Sequence, residues 1–99
     1  MRIAKVDRNQ TEIVKTLREM GCAVAHTHMV GNGYPDITVS LMDRTWAVEI
    51  KDGKRFKSQQ KLTFAQEVFH SNWRAKIPIL TSVQDAIDFV NKARMDINK

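Results

Sequence analysis

Two stretches in the first half of the chain alternate strictly between apolar and polar residues. Apolar side chains occupy every second position in residues 36–41 and again in residues 45–51. Alternation with a period of two is typical of strands whose two faces meet different surroundings. Asp43 and Arg44 between them are short enough for a two-residue hairpin loop, although they lack the glycine that such a turn prefers.

A loop at these two residues sets the pairing of the predicted hairpin. Thr38 then pairs with Glu49 and Asp36 pairs with Lys51, so that Asp36, Glu49 and Lys51 share one face. Asp36 and Glu49 are diagonal neighbours in this register, about 7–8 Å apart at the backbone. The pattern therefore predicts that both carboxylates reach a common point.

The residues before this hairpin predict a helix, a strand and a turn. Apolar residues recur at helical spacing in residues 9–20, and Asn9 and Glu12 have the spacing of a capping box. The apolar run in residues 22–28 predicts a first strand. The glycines in residues 30–33 predict a turn.

The second half of the chain shows the same mixture of periods. Residues 62–73 predict a second helix. Residues 77–80 predict a short strand at a sheet edge, because Pro78 cannot donate a hydrogen bond to a neighbouring strand. Ser82 and Asp85 have the spacing of a second capping box, which opens a last helix.

The last helix completes the predicted fold. Val83, Ile87 and Val90 are expected to face inward from it, and residues 1–8 and 94–99 are expected to fray. The element order is α-β-β-β-α-β-α. It predicts an α/β (α+β) fold in which the whole chain forms one small domain, with a central mixed sheet flanked by helices.

The net charge of the chain indicates a class of binding partner. The chain has 99 residues, and 16 Lys and Arg against 11 Asp and Glu leave a net charge of +5. Such an imbalance fits a polyanionic partner such as nucleic acid, and it equally fits a basic protein without one.

The cysteine count and hydropathy indicate a compartment. The single cysteine, Cys22, excludes an intrachain disulfide and lies in an apolar run, so we expect a buried thiol in a reducing environment. No stretch approaches the ~18–20 apolar residues of a membrane span, and the charged N-terminal residues do not match a signal peptide. We therefore expect a soluble, cytoplasmic protein without a membrane partner.

Asp36, followed by Glu49-x-Lys51 on the next strand, is the set of side chains that a metal-dependent phosphodiesterase needs. Carboxylate oxygens hold Mg²⁺, which polarises a phosphate and lowers the pKa of a bound water. A lysine beside them orients that water or offsets charge in the transition state. The alternative is an ion pair of Asp36 with Lys51 on a solvated sheet face, which contributes about 0–1 kcal/mol. Spacing alone leaves both interpretations open.

The same residues resemble a known nuclease signature. Gly33-x-Pro35-Asp36 followed by Val48-Glu49-Ile50-Lys51 looks like the PD-(D/E)-x-K motif, and the chain more narrowly resembles the virus-type replication-repair nuclease (VRR-NUC) domain. The resemblance covers almost the whole chain, and helices on either side make the short motif more specific. The segments that carry it are Asn9-Gln10-x-Glu12-Ile13, Pro35-Asp36-Ile37, Glu49-Ile50-Lys51-Asp52-Gly53, Leu62-Thr63-x-x-Gln66 and Phe69-His70-x-x-Trp73.

This resemblance implies a restriction-endonuclease-like core and a role for each matching residue. Asp36 and Glu49 would bind Mg²⁺ or Mn²⁺ together with the carbonyl of Ile50, and Lys51 would be the catalytic lysine. It also implies branched or flapped DNA as substrate and, for small stand-alone members, a homodimer that resolves four-way (Holliday) junctions.

Two helical residues match the family's site as well. Glu12 corresponds to its first-helix acid and a further possible metal ligand, but as the third residue after Asn9 it can equally be a helix cap. Gln66 corresponds to its helical glutamine. It lies about 40° from Leu62 on the helical wheel, inside the apolar stripe. Because an unpaired buried amide costs about 1–3 kcal/mol, Gln66 should meet either the active-site face or a backbone group.

The residues after Lys51 predict a DNA-binding segment. Four basic side chains follow this strand end, where they would contact phosphates on the way to the metal; the alternative is an ordinary solvated loop. They are Lys54, Arg55, Lys57 and Lys61. His70 is expected to contact phosphate or solvent, or to shuttle a proton if it lies near the site. Trp46 and Trp73 are expected to lie in the core or in a dimer interface, in preference to acting as base-stacking platforms.

The sequence thus favours a Mg²⁺-dependent endonuclease that acts on branched DNA, with a four-way junction as the preferred substrate. One alternative is a flap, single-strand or restriction-like nuclease. The other is a catalytically silent nucleic-acid-binding module, although such a module has no need to keep Asp36, Glu49 and Lys51 together.

Overall fold

The chain forms a mixed sheet with helices on both of its faces. The computed structural model describes residues 8–53 and 61–99, and within them the element order is α-β-β-β-α-β-α, as predicted. The elements are α1 Arg8–Glu19, β1 Ala23–His26, β2 Ile37–Leu41, β3 Arg44–Ile50, α2 Phe64–Asn72, β4 Ile79–Leu80 and α3 Val83–Ile97. None of the helices in these two segments is long and apolar enough to cross a membrane.

The strands lie side by side in chain order, β1-β2-β3-β4. β1 and β2 are antiparallel, as are β2 and β3, whereas β3 and β4 run parallel. The predicted mixed sheet is therefore confirmed. The two-residue β4 lies at an edge, as expected from Pro78 immediately before it.

The β2–β3 hairpin has a different register from the predicted one. Its loop consists of Met42 and Asp43, and Leu41 pairs with Arg44, so the predicted loop at Asp43 and Arg44 is wrong. Met42 and Asp43 have φ angles of 48° and 72°. Two consecutive left-handed residues make the kind of tight turn whose twist matches that of the flanking strands. A shift of two residues leaves the alternation unchanged, so the hydrophobic pattern does not distinguish the two registers.

This shift preserves the face of every residue but changes its partner. Thr38 pairs with Ala47, where the predicted partner was Glu49. Continuing the observed register places Asp36 directly opposite Glu49, where the prediction made them diagonal. Directly opposed residues have Cβ atoms about 4.5–5.5 Å apart, so the two carboxyls lie closer together than expected.

The apolar core lies between one face of the sheet and helices α1 and α3. Cys22 is buried there, as predicted, and burial raises the pKa of its thiol. The buried members of this core are Ile13, Val14, Leu17, Cys22, Ile37, Val39, Leu41, Val48, Ile50, Leu80, Ala86, Val90 and Ala93. The opposite face, which carries Glu49, meets α2 instead.

The two predicted capping boxes are only partly correct. Asn9 lies inside α1, and its Nδ2 donates to the carbonyl oxygen of Lys51 at 2.9 Å, so it is not the N-cap. Ser82 does cap α3 and accepts from the Asp85 N–H. The Asp85 carboxylate, however, accepts from the backbone and hydroxyl of Thr81 rather than closing the box.

Helix α3 buries only part of the predicted stripe and ends later. Val90 faces inward as predicted, together with Ala86 and Ala93, whereas Ile87 is half-buried and Val83 is 36% exposed. The helix extends to Ile97, so most of residues 94–99 are helical where a frayed tail was expected. In this last part Arg94 donates to the Met20 carbonyl at 2.6 Å, which ties the end of α3 to the end of α1.

Candidate active site

A pair of acidic side chains occupies the polar face of the sheet. Glu49 is fully buried, with 0% of its surface exposed, and its carboxyl hydrogen-bonds to that of Asp36. Asp36 Oδ2 also accepts from the backbone N–H of Ile50 at 2.8 Å. A buried Glu49 does not fit the alternative of a solvated sheet face.

The two carboxyls repel each other when both are ionised. Burial, followed by the hydrogen bond with Asp36 and by its negative charge, raises the pKa of Glu49 to about 9. Lys51 and the Ile50 backbone act in the opposite direction with smaller effect. Without a cation between them, the pair therefore shares a proton at neutral pH.

Lys51 is held beside this pair by Gln66. The lysine Nζ donates to Gln66 Oε1 at 2.8 Å, and Gln66 Nε2 lies 3.4 Å from Glu49 Oε2. Gln66 Oε1 also accepts from the Thr63 N–H at 2.9 Å, while Thr63 Oγ1 accepts from the Gln66 N–H. Gln66 thus faces the active-site side of the sheet, one of its two predicted positions, and closes the N-terminal capping box of α2 at the same time.

His70 joins the cluster from the next turn of the helix. Its Nε2 lies 3.4 Å from Glu49 Oε1, and its side chain is only 16% exposed. Burial and then the positive charge of Lys51 lower the pKa of His70. The sequence favours contact of His70 with phosphate or solvent, with a position near the site as the alternative, and the structure shows the alternative position. The spacing of four residues after Gln66 was the available signal, because such residues lie on the same side of a helix.

Gly33 allows α2 to lie this close to the site. It has a φ of +81°, and a Cβ at this position would collide with the carbonyl group of Ala65 in the first turn of α2. No side chain fits in that space. The glycine before Pro35-Asp36 therefore positions the helix that carries Gln66 and His70.

The other predicted site residues lie outside this cluster or outside the described chain. Glu12 is exposed, and Arg8 Nε lies 3.3 Å from its Oε1, so α1 reaches the site through Asn9 instead. Lys61 is exposed at the start of the second described segment. The remaining basic residues, Lys54, Arg55 and Lys57, lie outside the described residues.

The donor atoms present fit a divalent cation. Two adjacent carboxyls supply hard oxygen ligands, and the Ile50 carbonyl points to the same side of β3 as its N–H, towards Asp36. Mg²⁺ is commonly held by one or two carboxylates and several waters. Within residues 8–53 and 61–99 no third His, Cys, Asp or Glu completes a cluster of metal-binding side chains. Burial and then the Asp36 carboxyl raise the pKa of Glu49, and a cation would relieve the repulsion between the two carboxyls.

Comparisons of the chain with protein-family models, with curated proteins and with solved structures find no match. The motif residues and the geometry around Glu49 are therefore the basis for assigning a function.

Proposed function

We propose that this protein is a metal-dependent endonuclease that hydrolyses phosphodiester bonds in DNA. The observation that supports this most strongly is the fully buried Glu49 carboxyl, which faces Asp36 and has Lys51 beside it. Burying a carboxyl beside a second carboxyl is unfavourable for the fold, and such groups are concentrated at functional sites.

Each residue of the cluster has a distinct role in this proposal. Asp36, Glu49 and the Ile50 carbonyl hold Mg²⁺ or Mn²⁺, which when bound polarises the phosphate and lowers the pKa of a water. Gln66 holds the Lys51 ammonium next to the pair. There Lys51 orients the attacking water or offsets the negative charge that develops on the phosphate.

We further propose branched DNA, and a four-way junction in particular, as the preferred substrate. The net charge of +5 favours a polyanion. The resemblance to VRR-NUC domains favours a branched one. A homodimer in the cytoplasm fits the same proposal, because two sites would cut two strands of one junction.

A cleavage assay tests this function directly. Labelled four-way junction, flap and linear duplex are incubated with wild type, Glu49→Gln and Lys51→Met, each with Mg²⁺ or EDTA. We expect Mg²⁺-dependent cutting, fastest on the junction, and a loss of about 100-fold or more in both variants. Two exposed residues supply matched controls, Glu67→Gln and Lys15→Met, which should stay within about twofold.

Three results would count against parts of the proposal. Wild-type rates in both variants would refute the site. Tight DNA binding without any Mg²⁺-dependent cutting would identify a silent binding module. Equal rates on all three substrates would refute the preference for junctions, and light scattering of the protein with and without DNA tests the dimer.

A further inference from the structure

A group of aromatic rings extends from the site along α2. Trp73 follows Gln66 by seven residues, which places the two about 20° apart around the helix and about 10 Å apart along it. The Trp73 N–H still donates to the Phe69 carbonyl at 3.0 Å, so the helical path continues to this residue. Trp73 therefore lies on the side of α2 that meets Glu49 and Lys51.

Neighbouring rings hold Trp73 while leaving it accessible. Phe69 and Trp73 stack with ring centroids 5.0 Å apart and an angle of 24°, and Tyr34 meets Phe69 edge-on at 5.2 Å. Phe69 and Tyr34 are partly buried, whereas 43% of Trp73 is exposed. A ring that is already fixed by packing loses little conformational freedom when a partner stacks on it.

The residues that follow Trp73 add positive charge. Residues 71–76 are all exposed, and Arg74 and Lys76 lie among them. Neither forms an ion pair with any residue of the described segments. An accessible aromatic ring between the site and two unpaired cations matches the groups that bind single-stranded nucleic acid.

We propose that Trp73 stacks on an unpaired base of the DNA substrate while Arg74 and Lys76 contact the neighbouring phosphates. The spacing of about 10 Å from Gln66 corresponds to about three nucleotides at a rise of ~3.4 Å. This inference rests on the proposed nuclease function and narrows its substrate class. In a four-way junction the unpaired nucleotides would arise where base pairs open at the branch point, a few positions from the cut.

Tryptophan fluorescence tests this contact without any cleavage. In EDTA, wild type and Trp73→Phe are titrated with a single-stranded oligothymidine and with a blunt duplex of equal length. We expect the single strand to quench wild type and not Trp73→Phe, because the remaining Trp46 packs against Phe89 at the core. Trp73→Ala should bind the single strand about 5- to 150-fold more weakly and the duplex within about twofold.

Phe64 supplies the matched control, since it lies on the same helix and is 81% exposed. Phe64→Ala should leave single-strand affinity within about twofold. Arg74→Ala and Lys76→Ala should each reduce the slope of log affinity against log salt by about one. Circular dichroism reports whether Trp73→Ala is folded. If it is not, the quenching comparison between wild type and Trp73→Phe tests the contact.

Several results would overturn the proposal. These are the absence of quenching by the single strand, equal quenching in Trp73→Phe, or equal losses for duplex and single strand in Trp73→Ala. A DNA-independent dimer that dissociates in Trp73→Ala would assign the surface to self-association instead. Because these measurements need no metal, quenching together with a failed cleavage assay would refute the nuclease function and leave this binding surface in place.

Discussion

Glu49 combines complete burial with a charge that the fold does not neutralise by itself. Its carboxyl faces Asp36 across the hairpin, and its other neighbours are Gln66 and His70. Such a site is stable either with a shared proton or with a bound cation. In acid the shared proton keeps the folded protein stable. Above neutral pH this proton is progressively lost, and a bound cation is needed in its place.

The stability of the metal-free protein should therefore depend on pH through Glu49. Folding raises the pKa of this group from 4.5 to about 9, so the folded state binds the proton more tightly than the unfolded state. Its stabilising contribution is complete below about pH 4.5 and is lost as the pH rises towards 9. In EDTA we expect wild type to lose roughly 5 kcal/mol between pH 5 and 9, measured by urea unfolding.

Glu49→Gln should remove most of this pH dependence, because glutamine resembles the protonated acid and does not titrate. Glu67→Gln, at an exposed position of α2, should retain it. Adding Mg²⁺ at pH 8 should raise the unfolding temperature of wild type and leave that of Glu49→Gln unchanged. A wild-type stability that does not change over this pH range in EDTA would contradict the buried, shared-proton state.

Helix α2 brings half of the candidate site to the sheet, yet none of its residues is buried. Its position depends on the bonds of Gln66 and His70 and on the close approach of Gly33 to Ala65. A helix held by so few contacts is sensitive to any group inserted beneath it. The Gly33-x-Pro35-Asp36 motif is thus a structural support for α2 as well as a source of one ligand.

Comparing alanine substitutions at Gly33 and Gly31 should separate an effect on activity from an effect on stability. Gly33→Ala must displace α2, because its Cβ would collide with the Ala65 carbonyl, and we expect a loss of activity of at least about tenfold. Gly31 is the matched control: its φ is +79°, close to the +81° of Gly33, but nothing lies within 4 Å of the position that a Cβ would take there. Gly31→Ala should cost about 1 kcal/mol of stability and leave kcat unchanged. Equal activities of the two variants would refute this role of Gly33.

The hairpin register is open to a similar paired test. Asp43 has a φ of 72°, whereas Arg44 is the first residue of β3. Asp43→Gly should therefore stabilise the protein by about 0.5–1 kcal/mol, and Arg44→Gly should destabilise it by a similar amount. The predicted loop at Asp43 and Arg44 would make glycine favourable at both positions. Thermal unfolding of the two variants decides between the registers.

At the level of the whole molecule, one face of the sheet packs the apolar core and the other carries the candidate site. Helices α1 and α3 cover one face and form the apolar core, and the end of α3 is tied to Met20 by Arg94. The other face carries the acidic pair beneath α2. Asn9 links the two sides, because its side chain donates to the carbonyl of Lys51 at the end of β3.

The alternation of residue types was sufficient to predict the faces of the strands. Asp36, Glu49 and Lys51 occupy polar positions of a period-two pattern. A shift of the register by two residues therefore leaves all three on the same face. The inward position of Gln66 was equally local, because it follows from spacing along one helix.

The pairing of Asp36 with Glu49, and the burial of Glu49, required the folded chain. Turn geometry selected a register that the hydrophobic pattern does not distinguish, and packing selected the buried stripe of α3. The pKa of Glu49 and the approach of His70 depend on α2 covering a face that reads as polar in the sequence. Periodicity reports the side of an element on which a residue lies, whereas burial depends on which other element covers that side.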